Sequence, residues 1–260
     1  MKLLPRNYKS VFKTEVAKAL QLQTSPGIVT EQDIKHLPEP VQKYLRYVGA
    51  IGKEKIHSVK LEFTGGFKTN PNNKYEKFIS IQYNFFGSPK RFFYMKMPMM
   101  GIPCYGLHVY KEGTASMKIN LSSLIEVVDA IGEIMNQGET VTVFNDLCLM
   151  APAALIDADI KWQTIDKLIV KANYKNGKST ISATLYFNEA GELINFISTD
   201  RFLSSDGKTY LNYPWSTPAM NYKDFNGRKV PAYGETIWQM PEGDFVYGKF
   251  NLKSIEYNCK

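Results

Sequence analysis

The chain predicts a mainly β fold of the α+β kind: a strongly curved antiparallel sheet or half-barrel with helices on the concave face, and more helices at the N-terminus. Three observations lead there. Tyr and Phe are abundant, at 16 and 15 of 260 residues, and aromatic side chains suit pleated surfaces better than helical bundles. Apolar and polar residues alternate with period two over several segments, separated by Asn-Gly, Asp-Gly and Glu-Gly turn signals. Two apolar stretches of helical period interrupt this pattern, and an apolar sheet face needs such a cover to stay out of water.

Helices come first along the chain. Val11, Val16, Ala19, Leu20 and Leu22 form a loose helical stripe ended by Ser25, Pro26 and Gly27. Thr30 and Asp33 make an approximate capping box, and Val41, Tyr44, Leu45 and Val48 recur at helical spacing before Gly49 stops the helix. Residues 1–29 therefore read as a helical extension, and 30–260 as one curved-sheet domain.

From about residue 56 the period becomes two. Val59, Leu61 and Phe63 alternate with polar neighbours, as do Ile79, Ile81, Tyr83 and Phe85 with Ser80, Gln82 and Asn84, so each segment reads as a half-buried strand. A strand over 91–97 should stop at Pro98, because Pro98 and Pro103 exclude a continued central strand. A strand pair is expected around Glu112 and Gly113. Leu121, Leu124, Ile125, Val128, Ile131 and Met135 then fall at helical spacing, Gln137 and Gly138 break the chain, and Val141, Phe144, Leu147 and Cys148 restart a helix before Pro152. This predicts a helical insertion at about 121–151. Beyond 160, Asn176-Gly177 joins two strands as a tight hairpin, and Asp206-Gly207, Asn226-Gly227 and Glu242-Gly243 mark later turns.

Composition narrows the function classes. The 32 Lys and Arg against 25 Asp and Glu give a net charge of +7, but the basic residues are spread out and form no nucleic-acid-binding signature, so nucleic acid is not an expected partner. Cys104, Cys148 and Cys259 show no C-x-x-C spacing and read as buried thiols. His36, His57 and His108 form no metal-ligand pattern, and Walker, G-x-G-x-x-G and G-x-S-x-G motifs are absent, so no metal, cofactor or catalytic residue is expected. No window is apolar for the 18 or more residues of a membrane span. A basic start without an apolar h-region reads as cytoplasmic; a longer natural N-terminus would make the protein periplasmic or membrane-associated.

Residues 37–46, the turn from Gly49 to Gly52, Gln137-Gly138-Glu139, Asp200-Arg201, Pro214-Trp215, 222–231 and Gly234-Glu235 together resemble an uncharacterised bacterial family, DUF6544-like, over most of 30–257. The C-terminal pattern of a Tyr before Asn-Gly-x-x-Val-Pro and a long strand is also similar to bacterial lipoprotein carriers (LolA/LolB-like) and related periplasmic lipid-binding proteins. That second resemblance implies a bent antiparallel sheet wrapped around helices, with a cavity that takes acyl chains.

The candidate site follows from these readings. Met95, Met97, Met99 and Met100 with Phe93 form an adaptable apolar concentration beside a proline-broken loop, suited to a variable apolar ligand, with plain core filling as their other reading. Leu124, Val128 and Phe144 of the middle helices would line or close a concave site, and Trp215 and Trp238 would stack on a ligand or plug the open end. Arg46, Asp200, Arg201 and Glu235 are the candidate polar anchors, with a structural ion-pair network as their other reading. The expected function is non-catalytic binding of a lipid or other elongated apolar molecule. The alternatives are an enzyme with carboxylates such as Asp200, Glu235 and Asp244 in a sheet-lined cleft, and a protein-interaction module with a filled core.

Overall fold

A computed structural model describes residues 7–21, 27–99, 101–122, 125–204 and 209–260. Its helices are α1 (Tyr8–Leu20), α2 (Glu31–Ile34), α3 (Glu39–Tyr47) and α4 (Glu133–Met150), followed by a 3-10 turn at Pro152–Ile156. Six consecutive antiparallel strands make the first half of the sheet: β1 (Ser58–Phe67), β2 (Glu76–Phe85), β3 (Lys90–Met99), β4 (Ile102–Lys111), β5 (Thr114–Leu121) and β6 (Ile125–Ile131). The second half contains β7 (Ile160–Thr164), β8 (Ile169–Asn176), β9 (Ser179–Phe187), β10 (Leu193–Ser198), β13 (Trp215–Ser216), β14 (Ala219–Phe225), β15 (Arg228–Met240) and β16 (Gly243–Tyr257), while β11 (Phe202–Leu203) and β12 (Leu211–Asn212) form a separate ribbon.

All strands but that ribbon belong to one 14-stranded sheet, ordered β6-β5-β4-β3-β2-β1-β16-β15-β13-β10-β9-β8-β7, with β14 attached to β15. The chain therefore starts its sheet in the middle, runs to one edge, and crosses through α4 to the opposite edge before meandering back. The sheet curls far enough for its halves to touch. Asn176, at the β8–β9 turn, donates to the Tyr110 hydroxyl of β4 at 2.7 Å, and that hydroxyl also lies 2.9 Å from Thr140 of α4. Helix α4 runs through the hollow, packing against β5 and β6 on one side and β9 and β10 on the other. The curved half-barrel with a helix on its concave face is as the sequence predicts.

Local chemistry explains most elements. Thr30 caps α2, with its hydroxyl accepting from the Asp33 amide and Asp33 accepting from the Thr30 amide. Helix α3 buries Val41, Tyr44 and Leu45, and the Tyr44 hydroxyl donates to the Cys148 carbonyl at 2.9 Å, tying α3 to α4. Asn226 and Gly227 both have positive φ, at 57° and 78°, as the two-residue hairpin between β14 and β15 requires. Helix α1 sits on the convex face, with Tyr8, Phe12, Val16 and Ala19 packed on Phe85, Phe92 and Leu107. Val11, expected in its buried stripe, is exposed, and Leu22 lies outside the described residues.

Three expectations are corrected. The helix predicted to begin near 121 is instead β6, an edge strand over Ile125–Ile131, and α4 starts only at Glu133. Ile125, Val127, Val128 and Ile131 are β-branched, and Gly132 at φ 112° separates strand from helix, so their three- and four-residue spacing was coincidental. Gly138, expected to break the chain, lies within α4. Strand β3 continues through Pro98, since β2 stops pairing at Lys96 and no N–H is asked of Pro98; opposite it, Pro103 lacks an N–H but its carbonyl still accepts from the Ser122 amide at 2.8 Å, just past β5.

Close approach of β1 to β16 depends on Gly65. A Cβ there would lie 1.8 Å from the Lys249 carbonyl oxygen, next to the bulge of the β1–β16 ladder. Gly65→Ala should lower unfolding free energy by about 1–3 kcal/mol through local overpacking. The neighbouring Gly66→Ala, whose Cβ would meet only the Tyr75 side chain at 3.1 Å, should cost less. Urea unfolding of both variants checks this, and equal midpoints would contradict it.

Candidate functional site

Between α4 and the concave faces of β1–β6, β15 and β16 lies a cavity of about 480 Å³. Register decides what lines it. Phe63, Ser80 and Met95 share one row across β1, β2 and β3, followed by Gly106 of β4 and Ile119 of β5; Leu61, Gln82, Phe93, His108 and Met117 share the next. In β2, β3 and β4 the intervening residues, among them Tyr83, Phe92 and Leu107, face the convex side and meet α1. Exposed Val127 and Ile134 stand where the cavity meets solvent.

Most of the lining is apolar, with Phe93, Met95, Met97, Met99 and Val128 contributing from the strands, and Trp215 and Trp238 from the second half. These sequence candidates thus come together in space, whereas Met100 and Leu124 lie outside the described residues. Phe144 does not line the cavity. It faces the other side of α4, fully buried, stacked on Tyr174 at 4.8 Å and edge-on to Phe196.

The polar candidates divide. Arg46 is on the surface, where its Nη2 bonds Glu31 at 2.8 Å, and Asp200 accepts the Ser182 amide at 2.6 Å, so neither reaches the cavity. Arg201 and Glu235 do line it. Glu235 accepts the Tyr233 hydroxyl at 2.6 Å; burial, and then this bond, push the Tyr233 phenol up to about 12. Asp244 is not among the lining residues, so the carboxylates Asp200, Glu235 and Asp244 do not converge there.

Sequence reasoning missed the most polar part of the wall. Arg91 of β3, with 8% of its side chain exposed, donates from Nε to Asp146 at 2.8 Å, from Nη1 to Glu139 at 3.1 Å and from Nη2 to Gln82 at 3.0 Å. Asp146 Oδ2 also accepts Gln82 Nε2 at 2.7 Å and Asn84 Nδ2 at 3.1 Å. Glu139 Oε1 lies 3.4 Å from Nδ1 of His108. Ser80, Gln82 and Asn84 are the polar positions of a strand expected to be half-buried; they are buried because Asp146 and Glu139 of α4 reach down to that face, while α1 covers the other. The signal was available: Arg91 stands two residues before Phe93 and so shares its face, and Glu139 and Asp146 are seven apart on one helix, two turns along the same side.

Electrostatics sets the ionisation of this cluster. Burial alone would raise the Glu139 carboxyl, but attraction from Arg91, then the His108 contact and Arg201, hold it down at about 2. Burial raises Asp146, Arg91 opposes that rise, and the charge of Glu139 adds to it. The arrangement neutralises one cation with two acids in a water-poor wall, and the described residues contain no cluster able to hold a metal ion.

Fold and site together define a curled antiparallel half-barrel with a helix in its hollow and a largely apolar cavity beside that helix. The chain belongs to a family of unknown function, DUF6544, whose profile matches residues 27–250. No curated protein matches it. Among solved structures it is similar to a putative outer membrane lipoprotein-sorting protein domain from Vibrio parahaemolyticus, at 10% identity and a TM-score of 0.49, covering 84% of this chain and 91% of that one. A LolA superfamily protein from Nitrosomonas europaea is similar at 9% identity and a TM-score of 0.45, covering 83% and 92%. Among the described residues no helix is long and apolar enough to cross a membrane.

Because folding lowers the Glu139 pKa from 4.5 to about 2, its contribution to stability is fully present above 4.5 and is lost as pH falls towards 2. Glu139→Gln should therefore be less stable than the parent by a margin that is constant from about pH 7 to 5 and narrows by roughly 2 kcal/mol between about pH 5 and 3. Urea unfolding across that range measures the margin. One that widens in acid would show Glu139 to be protonated in the native state.

Proposed function

We propose that this protein binds a lipid or another elongated apolar molecule, without chemical conversion, in the cavity between α4 and the concave sheet. The observation that carries this reading is the cavity itself. Protein interiors are close-packed, and a void of about 480 Å³ leaves its lining without contact partners. Small-molecule sites fall at ~300–1,000 Å³, are mostly apolar and use few polar groups. The lining fits that description, and its unbranched Met95, Met97 and Met99 side chains can repack around chains of different shape.

The acidic residues of the wall favour binding over catalysis. Asp146 accepts from Arg91, Gln82 and Asn84 through one oxygen, and Glu139 is bonded to Arg91, so both are held in a structural network. A general acid or base has to pass its proton to and from substrate, whereas these two carboxylates are engaged by the Arg91 guanidinium.

Native mass spectrometry of the purified protein, followed by organic extraction, should reveal a bound apolar molecule, or uptake of a fluorescent fatty acid by empty protein. Gly106 lines the cavity, and a Cβ added there meets nothing within 4 Å. Gly106→Phe should therefore fill the cavity, keep the fold by circular dichroism, and reduce probe binding at least about tenfold. Undiminished binding by the folded variant, or an empty parent that takes up no probe, would overturn the reading.

A further inference from the structure

The cavity wall contains a second arginine in a very different setting from Arg91. The Arg201 guanidinium lies with its central carbon 4.4 Å from the ring centre of Trp215 and 5.8 Å from that of Trp238, a position that holds it by cation–π attraction. Its Nη1 donates to the Tyr247 hydroxyl at 3.0 Å, and Trp215 Nε1 donates to the same oxygen at 2.9 Å. Among the described residues no carboxylate comes within 4 Å of this guanidinium; Glu139, on the same wall, is bonded to Arg91.

Counting donors and acceptors gives the chemistry. An arginine has five N–H donors and no acceptor, and a tyrosine hydroxyl has two lone pairs and one hydrogen. Tyr247 already accepts twice, so its own hydrogen remains to be donated, and Arg201 has further N–H groups to give. The cluster of Arg201, Tyr247, Trp215 and Trp238 thus offers only donors and a positive charge to a cavity that is otherwise largely apolar. Half-buried and, among the described residues, with no carboxylate within 4 Å, this guanidinium keeps N–H groups that an incoming anion can accept from in pairs.

We infer that this cluster receives the anionic oxygen head group, carboxylate or phosphate, of a single-chain apolar ligand whose tail fills the space beside Met95, Met97 and Gly106. The inference rests on the reading of the cavity as an apolar ligand site and adds the ligand's charge and its point of attachment. Guanidinium geometry matches both oxyanions through two parallel N–H bonds, and the two tryptophan rings fix it before the ligand arrives, so little ordering is lost on binding.

Three ligands with the same chain test it by calorimetry: oleate, oleyl phosphate and oleyl alcohol. At least one anion should bind about tenfold or more tightly than the alcohol, the effect expected of a hydrogen bond to a charged group, and whichever anion leads identifies the head group. Arg201→Gln should remove that preference while leaving the alcohol's affinity within about twofold. Oleyl alcohol binding as tightly as both anions, or a variant that weakens all three alike, would overturn the inference and leave the apolar site standing. Failure of all three to bind would overturn both. Parent protein alone decides the comparison among ligands should the Arg201 variant not fold.

Discussion

Arg91 fixes the distance between α4 and the first half of the sheet, and the cavity exists because that distance is kept. Its guanidinium joins β3 to Glu139 and Asp146, and Gln82 and Asn84 of β2 complete the attachment. Charged groups buried in this way gain little net stability, but they are directional, since a misplaced helix would leave a charge unpaired at a cost of about 3–5 kcal/mol. Apolar packing has no such directionality and would let α4 settle onto the strands. Across the helix, where Phe144 meets Tyr174 and Phe196, the contact is aromatic and closely filled. Helix α4 is therefore pinned on one side by polar bonds to β2 and β3 together with Val143 packed on Tyr110 and Ala115, and on the other by aromatic packing, and the void lies beside the polar attachment.

Curling of the sheet is the second condition. A flat sheet of this width could not surround a single helix, whereas here the β8–β9 turn returns to bond Tyr110 on β4. Twist accumulates from strand to strand, and the bulges in the β1–β16, β15–β16 and β5–β6 ladders bend it further. Gly65 permits the β1–β16 approach at the centre of the sheet. Helix α1 then covers the convex side of β2, β3 and β4, so that these strands are buried on both faces.

The two arginines of the wall differ through what surrounds them and not through what they are. Arg91 meets two carboxylates and an amide, while Arg201 meets aromatic rings and one hydroxyl that also serves Trp215. The first arrangement is complete within the protein. The second has donors in excess, which sets it apart from the Arg91 cluster on the same cavity wall.

The chain by itself determined the features that depend on neighbours in sequence: the capping box at Thr30, the stop at Gly49, the hairpins at Asn176 and Asn226, and the period of β1, β8 and β9. Phe93, Met95 and Met97 fall on one face of the expected strand, because period two needs no tertiary information, while Met99 joins them only because β3 runs on through Pro98. Tertiary structure decided what local pattern leaves degenerate. Ile125, Val128 and Ile131 fit helical spacing, and only pairing with β5 made them a strand; Ser80, Gln82 and Asn84 fit a solvent face, and only α4 made it an interior. Arg46, Asp200 and Arg201 could not be ranked from sequence, because whether a charge is spent or free depends on acceptors brought near it by the fold, from Glu31 beside Arg46 to the Ser182 amide beside Asp200. Periodicity reports which residues share a face, whereas burial and pairing are set by whatever distant segment covers that face.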